Sequence, residues 1–288
     1  MIQLLCKILC MLIPGKVERR KKRRQLTKLL TDELVDNGKT YYLVTPCREE
    51  FAAPDTLIRP GMKVLCVAPH PDDETLGVGG ILSKYPGQCD VLCVCSGGYC
   101  RKSDTKTPSE IADERIREFH DAVDTLGVKN RWIVRIFGEL PHLRHMEQKL
   151  DVYRDIVDWS TYDLILLPDA FDGHREHQYV TCHLIPHILK ERGHSPNCLI
   201  GYYPVWGAVT CPNYFERITD VYPRKQAALK CYQSRMKERD HMGLRVEGLN
   251  YFYGFLADYT CKYAEALRIE PVSELLQRED RRDWARFF

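Results

Sequence analysis

His70, Asp72 and Asp73 fall within the six-residue stretch Pro69-His70-Pro71-Asp72-Asp73-Glu74. Histidine and aspartate both ligate divalent metals, and a catalytic zinc takes three protein donors while one position stays open for water. The competing reading is a helix cap, in which one aspartate accepts backbone N–H bonds and His70 lies near the surface by chance. A cap accounts for one carboxylate. Two adjacent carboxylates and a histidine would repel or neutralise one another unless positive charge lay among them. His70 and Asp73 can supply two donors, so a third must come from elsewhere. About a hundred residues on, Pro168-Asp169-Ala170-Phe171-Asp172-Gly173 leads into His174-Arg175-Glu176-His177. Two histidines three apart share one side of a helical turn. A lone histidine is usually structural; a pair at this spacing, after a second strand end, is less often so.

Both clusters sit on the same kind of scaffold. Val64 to Ala68 is an apolar run that predicts a short buried strand. Two prolines then stop the ladder. Acids from Asp72 to Glu74 suit a helix N-terminus, and Leu76 to Leu82 reads as the helix body. The second cluster follows the strand Asp163 to Leu167 and precedes a helix over Gln178 to Lys190. In open α/β sheets ligands bind at the carboxyl ends of strands. Further strands are predicted at Asp90–Cys95, Trp132–Phe137, Cys198–Tyr203 and Arg217–Val221, with helices from Thr107 to Leu126 and from Met146 to Trp159. Strands alternating with helices predict a Rossmann-like, doubly wound α/β fold: a mostly parallel sheet with helices on both faces, in a single domain.

Composition narrows the class. A net charge of +2 gives no global attraction to nucleic acid, so none is expected as a partner. The 13 cysteines are odd in number and several lie in apolar strand-like runs, so they read as small core residues in a reducing compartment rather than a disulfide framework. Cys93 and Cys95 are expected on one strand face. Residues 1–24 are distinct: an apolar stretch shorter than the ~20 residues of a spanning helix, then the basic run Lys16 to Arg24. This reads as an interfacial segment for anionic lipid, against the competing reading of a frayed helix with a solvated charged face. The expected location is cytoplasmic, with peripheral contact at the inner face of the membrane. Residues 25–60 form a helical and extended lead-in, 61–270 the main domain, and 271–288 a tail.

The motif around His70 resembles the signature of the LmbE/PIG-L superfamily of zinc-dependent N-acetylglucosaminyl deacetylases. Gly173-His174-Arg175-Glu176-His177 is similar to that family's second motif, and Arg115-Ile116-Arg117-Glu118 to its R-x-x-E helix. Ser96-Gly97-Gly98, Lys225 to Ser234 and Tyr263-Ala264-Glu265-Ala266-Leu267 resemble later elements, so the likeness runs from about residue 61 to 270. It implies His70, Asp73 and His177 as ligands of one zinc, or of iron(II) in its place. It implies Asp72 as general base, and a protonated His174 that stabilises the oxyanion or protonates the leaving amine. Arg115, Ser96, Gly97 and Glu139 would touch substrate, and Glu176 would orient His174. Arg175 and Glu176 depart from the family's usual proline and aspartate. The implied reaction removes acetate from an N-acetylated amino-sugar conjugate, which the basic N-terminus tilts toward a lipid- or polysaccharide-linked one. Other classes are a two-metal phosphoesterase, which needs more bridging carboxylates, and a non-catalytic sugar-binding relative. In a nucleotide-binding domain, acids at this helix start would repel a pyrophosphate.

Overall fold

The computed structural model describes residues 56–98, 105–135, 151–236 and 241–278. The expectations for residues 1–24 and for the lead-in up to 55 lie outside the described residues, as do those for Glu139 and for the charged tail after Arg278.

β1 (Val64–Ala68) is followed by α1 (Asp73–Lys84), β2 (Cys89–Cys93), α2 (Pro108–Leu126) and β3 (Arg131–Ile133). Then come α3 (Asp151–Arg154), a 3₁₀ turn, β4 (Leu164–Pro168), α4 (Arg175–Tyr179), a π-helical turn over Val180–Leu184, α5 (Ile185–Arg192) and β5 (Leu199–Tyr203). The chain ends with β6 (Tyr214–Arg217), α6 (Tyr222–Leu229), α7 (Gln233–Met236), α8 (Met242–Ala257), β7 (Ala264–Pro271) and α9 (Val272–Gln277). The seven strands are ordered β3-β2-β1-β4-β5-β7-β6. The first five are parallel, and β7 pairs antiparallel with both β5 and β6.

This order determines where a site can form. β1 pairs with β2 on one side and β4 on the other, so the chain reverses its direction of strand addition between β1 and β4. A crevice opens at the carboxyl ends of such a strand pair. The turns after β1 and β4 are the two that carry the histidine clusters.

Alternation along β1 divides the interior. Leu65 and Val67 join the core that includes Trp159, Ile188 and Tyr253, while Val64 and Cys66 join the one that includes Ile81, Phe119 and Leu126. Thr107 caps α2 in a full capping box with Glu110, and Gly127 closes it in the left-handed region at φ 89°.

Four details depart from the sequence reading. The last strand pair is β6 at Tyr214–Arg217 and β7 at Ala264–Pro271, rather than a strand over Arg217–Val221. All eight residues of β7 but the last are buried, including Glu265, Arg268 and Glu270, and that density of charge hides a strand from pattern reading. Cys93 and Cys95 belong to opposite cores because β2 ends at Cys93 and alternation stops there. Cys211 is disulfide-bonded, with its partner outside the described residues, while the other eight described cysteines are free thiols.

Candidate active site

β1 delivers the chain to Pro69–Pro71, and Asp72 turns it into α1 with φ 124°. That value lies in the region where a side chain is strained, at a typical cost of ~1–3 kcal/mol, and such strain gathers at functional turns. The turn is held from several sides. Asp72 O accepts from Thr75 N and Leu76 N at 3.1 and 2.9 Å, and Asp73 Oδ2 accepts from His70 N at 2.9 Å. The buried Arg115 of α2 donates to Pro71 O at 2.7 Å and to Gly97 O at 3.1 Å, and its guanidinium lies 3.6 Å from Asp72 Oδ1. Gly97 has φ +62°, and a Cβ there would sit 2.0 Å from the guanidinium, so only glycine admits this brace.

After β4, Asp172 builds the second wall. Its Oδ1 accepts from His174 N at 3.1 Å, a short Asx-type link across two residues. Its Oδ2 accepts from Val205 N and Trp206 N at 3.2 and 3.0 Å. Asp172 Oδ1 also lies 3.4 Å from His177 Nδ1. His177 is fully buried on α4, and His174 is the residue immediately before that helix.

The two walls meet at three atoms. His70 Nδ1 and His177 Nε2 each lie 3.1 Å from Asp73 Oδ2, and 3.3 Å from each other. Donors held 2.0–2.2 Å from a tetrahedral cation stand roughly 3.3–3.5 Å apart, so this triangle has the dimensions of three metal ligands. The donor set, two imidazole nitrogens and a carboxylate oxygen, suits a divalent transition metal. His174 completes the cluster, since one nitrogen from each of the three imidazoles falls within 4.8 Å of the others.

Electrostatics point the same way. Burial alone would lower His177, but Asp73 and Asp172 outweigh it and push its pKa up to about 10. Burial would raise Asp73, yet the two histidines hold it far below the usual carboxylate range. The pocket favours positive charge strongly. His174 goes the other way: partial burial, with His177 and His70 nearby, holds it below the ordinary histidine value. Its Nδ1 is buried and makes no hydrogen bond.

Glu176 differs from its expected place. Its carboxylate meets His70 Nε2 rather than His174. The longer arm carries it across the cluster to a ligand on the other wall. Arg115 and Glu118 also form no pair. Glu118 accepts from Ser234 N and Oγ at 2.6 and 2.5 Å, while Arg115 is committed to the turn. Ser96 is buried beside Gly97 at the end of β2. Asp172 and Trp206 were not singled out by sequence. The signal for Asp172 was its position two residues before His174, where an Asx link is expected.

A mostly parallel sheet with a metal-type cluster at its reversal point defines an α/β protein with its candidate site at the topological switch. The family model described as GlcNAc-PI de-N-acetylase, PIG-L, matches residues 65–186. A diacetylchitobiose deacetylase of Thermococcus kodakarensis is 27% identical over 233 residues, 73% of this chain and 83% of that protein. Two solved structures share the fold. The N,N'-diacetylchitobiose deacetylase from Pyrococcus horikoshii, with its inhibitor MPG, is 22% identical over 73% of this chain and 84% of its own, at TM-score 0.53. The 4-carboxy-2-hydroxymuconate hydratase GalB of Pseudomonas putida is 19% identical over 72% and 96%, at TM-score 0.57. A deacetylase and a hydratase on one fold show that the fold by itself does not select the reaction.

Proposed function

We propose that this protein is a metal-dependent hydrolase that removes the acetyl group from an N-acetylated amino sugar. The observation that carries the reading is the triangle of His70 Nδ1, Asp73 Oδ2 and His177 Nε2, with edges of 3.1, 3.1 and 3.3 Å, flanked by Asp72 and His174. The deacetylase names among its relatives support the same substrate class. His70, Asp73 and His177 would hold the cation, zinc by donor type, with iron(II) as the alternative occupant. When bound, such a cation supplies Lewis acidity, polarising the amide carbonyl and making a water acidic enough to lose its proton near neutral pH.

The chain's own residues then have separate tasks. Asp72 adjoins a ligand without sharing the triangle, so its carboxylate is placed to take the proton of the attacking water. Arg115 fixes the backbone on one side of that carboxylate through Pro71 O and stands 3.6 Å from the carboxylate itself. His174, which begins α4 beside the triangle, is the donor placed to stabilise the tetrahedral oxyanion or to protonate the leaving amine. The C–N bond breaks as the proton gained by Asp72 passes to the amine nitrogen, giving acetate and a free amine. Asp172 caps the start of α4 through His174 N and lies 3.4 Å behind His177 Nδ1, and Glu176 meets His70 Nε2, the positions that carboxylates behind metal-bound histidines take.

Among the described residues one cluster of this kind converges. A two-metal phosphoesterase would need a second. No helix among the described residues is long and apolar enough to cross a membrane, and peripheral contact through residues 1–24 remains a proposal tested by their deletion and fractionation. The function is tested by acetate release from N-acetylated sugars with zinc-loaded protein, metal content being measured in parallel. Acetate from wild type, and its loss in Asp72→Asn with metal retained, is expected. One metal per chain without acetate from any sugar would overturn the deacetylase assignment.

A further inference from the structure

Asp72 stands at the N-cap of α1, yet its side chain makes no cap hydrogen bond. An aspartate there normally commits its carboxylate to the first amides of its own helix. Here the backbone takes φ 124° instead. A strained residue persists only where its surroundings over-determine it, and the groups that do so can be followed outward from the Asp72 amide.

Asp72 N donates to Glu74 Oε2 at 3.2 Å. Glu74 is fully buried, and its Oε1 accepts from the hydroxyls of Thr75 and Tyr232. These three partners all lie outside the triangle of metal-type donors. Burying a third carboxylate beside Asp72 and Asp73 is unfavourable, and filling the space would need neither this acid nor the Tyr232 hydroxyl. Tyr232 is itself buried and comes from the link between α6 and α7. Two residues on, Ser234 gives its N–H and its hydroxyl to Glu118 at 2.6 and 2.5 Å. Glu118 lies one turn beyond Arg115 on α2. Arg115 in turn donates to Pro71 O at 2.7 Å and stands 3.6 Å from Asp72 Oδ1. One helix thus grips the reactive turn twice. Arg115 does so directly, and Glu118 does so through Ser234, Tyr232 and Glu74. The second route ends on the amide of the residue whose carboxylate Arg115 faces.

We propose that Glu74, Tyr232, Ser234 and Glu118 are positioning residues for Asp72. They hold its backbone at positive φ, so that its carboxylate is kept for proton transfer and not drawn into capping α1. The proposal rests on the reading of Asp72 as the base of a deacetylase, so its test has an arm that needs no turnover.

The first arm measures zinc-loaded full-length variants with N,N'-diacetylchitobiose. Tyr232→Phe removes one hydroxyl and keeps the ring. It should retain about one zinc per chain and a KM within about twofold of wild type, with kcat lower by ~10–100-fold, the effect of a displacement on the order of 1 Å. Ser234→Ala loses one of two bonds to Glu118 and should show a smaller loss in the same parameter. Glu74→Gln keeps a carbonyl oxygen for Asp72 N and should recover most of the kcat lost in Glu74→Leu. In an Asp72→Asn background, Tyr232→Phe should lower kcat no further, because no base remains to be positioned. A residue needed only for folding would lower it again. Urea unfolding identifies any variant that fails to fold, and the two hydroxyl variants carry the test if Glu74→Leu does not.

The second arm follows amide hydrogen exchange of the peptide spanning residues 70–76. Exchange should be faster in Tyr232→Phe than in wild type, with β4 unchanged. Faster exchange at the turn without acetate from any sugar would keep the relay and overturn the deacetylase reading. Acetate release with kcat unchanged in Tyr232→Phe, or lowered as much in the Asp72→Asn background as in wild type, would overturn the relay alone.

Discussion

Helix α1 carries two buried clusters of ionisable groups, one at its first turn and one at its middle, and they are finished to different degrees. At the middle the helix breaks at Val78, whose φ of −135° is not helical. Glu265 of β7 accepts from Gly80 N and Ile81 N at 2.7 Å each, and from Lys225 Nζ at 2.6 Å. Lys225, from α6, also donates to Leu76 O at 3.0 Å. The acid caps the amides freed below the break and the lysine takes a carbonyl above it, so a fully buried ion pair repairs a helix. At the first turn nothing closes in this way. Two imidazole nitrogens face each other across 3.3 Å, Nδ1 of both His174 and His177 makes no hydrogen bond, and Asp72 is strained at positive φ. The middle cluster is fully buried, while His70 and His174 of the first-turn cluster are only partly so. The completeness of hydrogen bonding separates the structural one from the reactive one.

Mutation should separate them by readout. We predict the largest effect for Asp73→Ala. It removes the atom shared by both histidines, so zinc content should drop from about one per chain toward zero, with activity falling at least ~10³-fold. Metal analysis after gel filtration checks this, and full zinc retention would show that the triangle is not the binding site. Asp72→Asn should retain zinc and lose ~10²–10⁴-fold in kcat, the usual worth of a positioned base. At the middle cluster, Lys225→Met leaves Glu265 buried without its cation. Breaking such a pair typically costs ~3–5 kcal/mol, read as a lower urea midpoint, while the variant that still folds should bind zinc normally. Loss of zinc at unchanged stability would merge the two clusters into one functional unit.

The residues of the reactive turn were legible in sequence because their chemistry is local. Pro69 and Pro71 end a strand, acids start a helix, and the spacing of His174 and His177 is set by one helical turn. Lys225 and Glu265 were recognised only as family-like letters, because their partnership joins residues 40 apart and serves a break in a third element. Pattern reading has no term for a carboxylate that caps another segment's amides. Glu176 failed for a similar reason. The family resemblance implied His174, two residues away, while the side chain's reach takes it to His70, 106 residues distant. Asp172 and Trp206 form a contact through backbone amides, which no side-chain letter announces.

Glu176→Gln sharpens the comparison at a smaller scale. If this carboxylate supports His70 as a ligand, the variant should weaken zinc binding by ~10–100-fold, the usual range for a group behind a metal ligand. The pH profile of kcat in the zinc-saturated variant should move less than zinc affinity does, because the hydrogen bond Glu176 makes is to His70 and only its charge acts on His174. A shifted profile at unchanged zinc affinity would restore the expected Glu176–His174 link.

The smallest effect concerns a third kind of buried acid, one served by two backbone amides and the Thr210 hydroxyl, with Arg268 acting on it only through its charge. Asp169 accepts from Phe171 N at 2.9 Å and Thr210 N at 2.5 Å, and burial still raises its pKa to about 6. The folded state therefore binds this proton more tightly than the unfolded chain, where the ordinary value near 4 applies. The resulting stabilisation is complete below pH 4 and is lost as pH rises through about 6. Asp169→Asn loses one acceptor and should be less stable than wild type at pH 4.5. Its deficit should shrink by on the order of 1–3 kcal/mol by pH 7.5, because only wild type then buries an uncompensated charge. Urea unfolding of both proteins at the two pH values measures the difference. Parallel stability curves would mean that the two amides and the hydroxyl suffice to keep a buried carboxylate ionised. The cation at Glu265 would then be needed for the helix break and not for the charge.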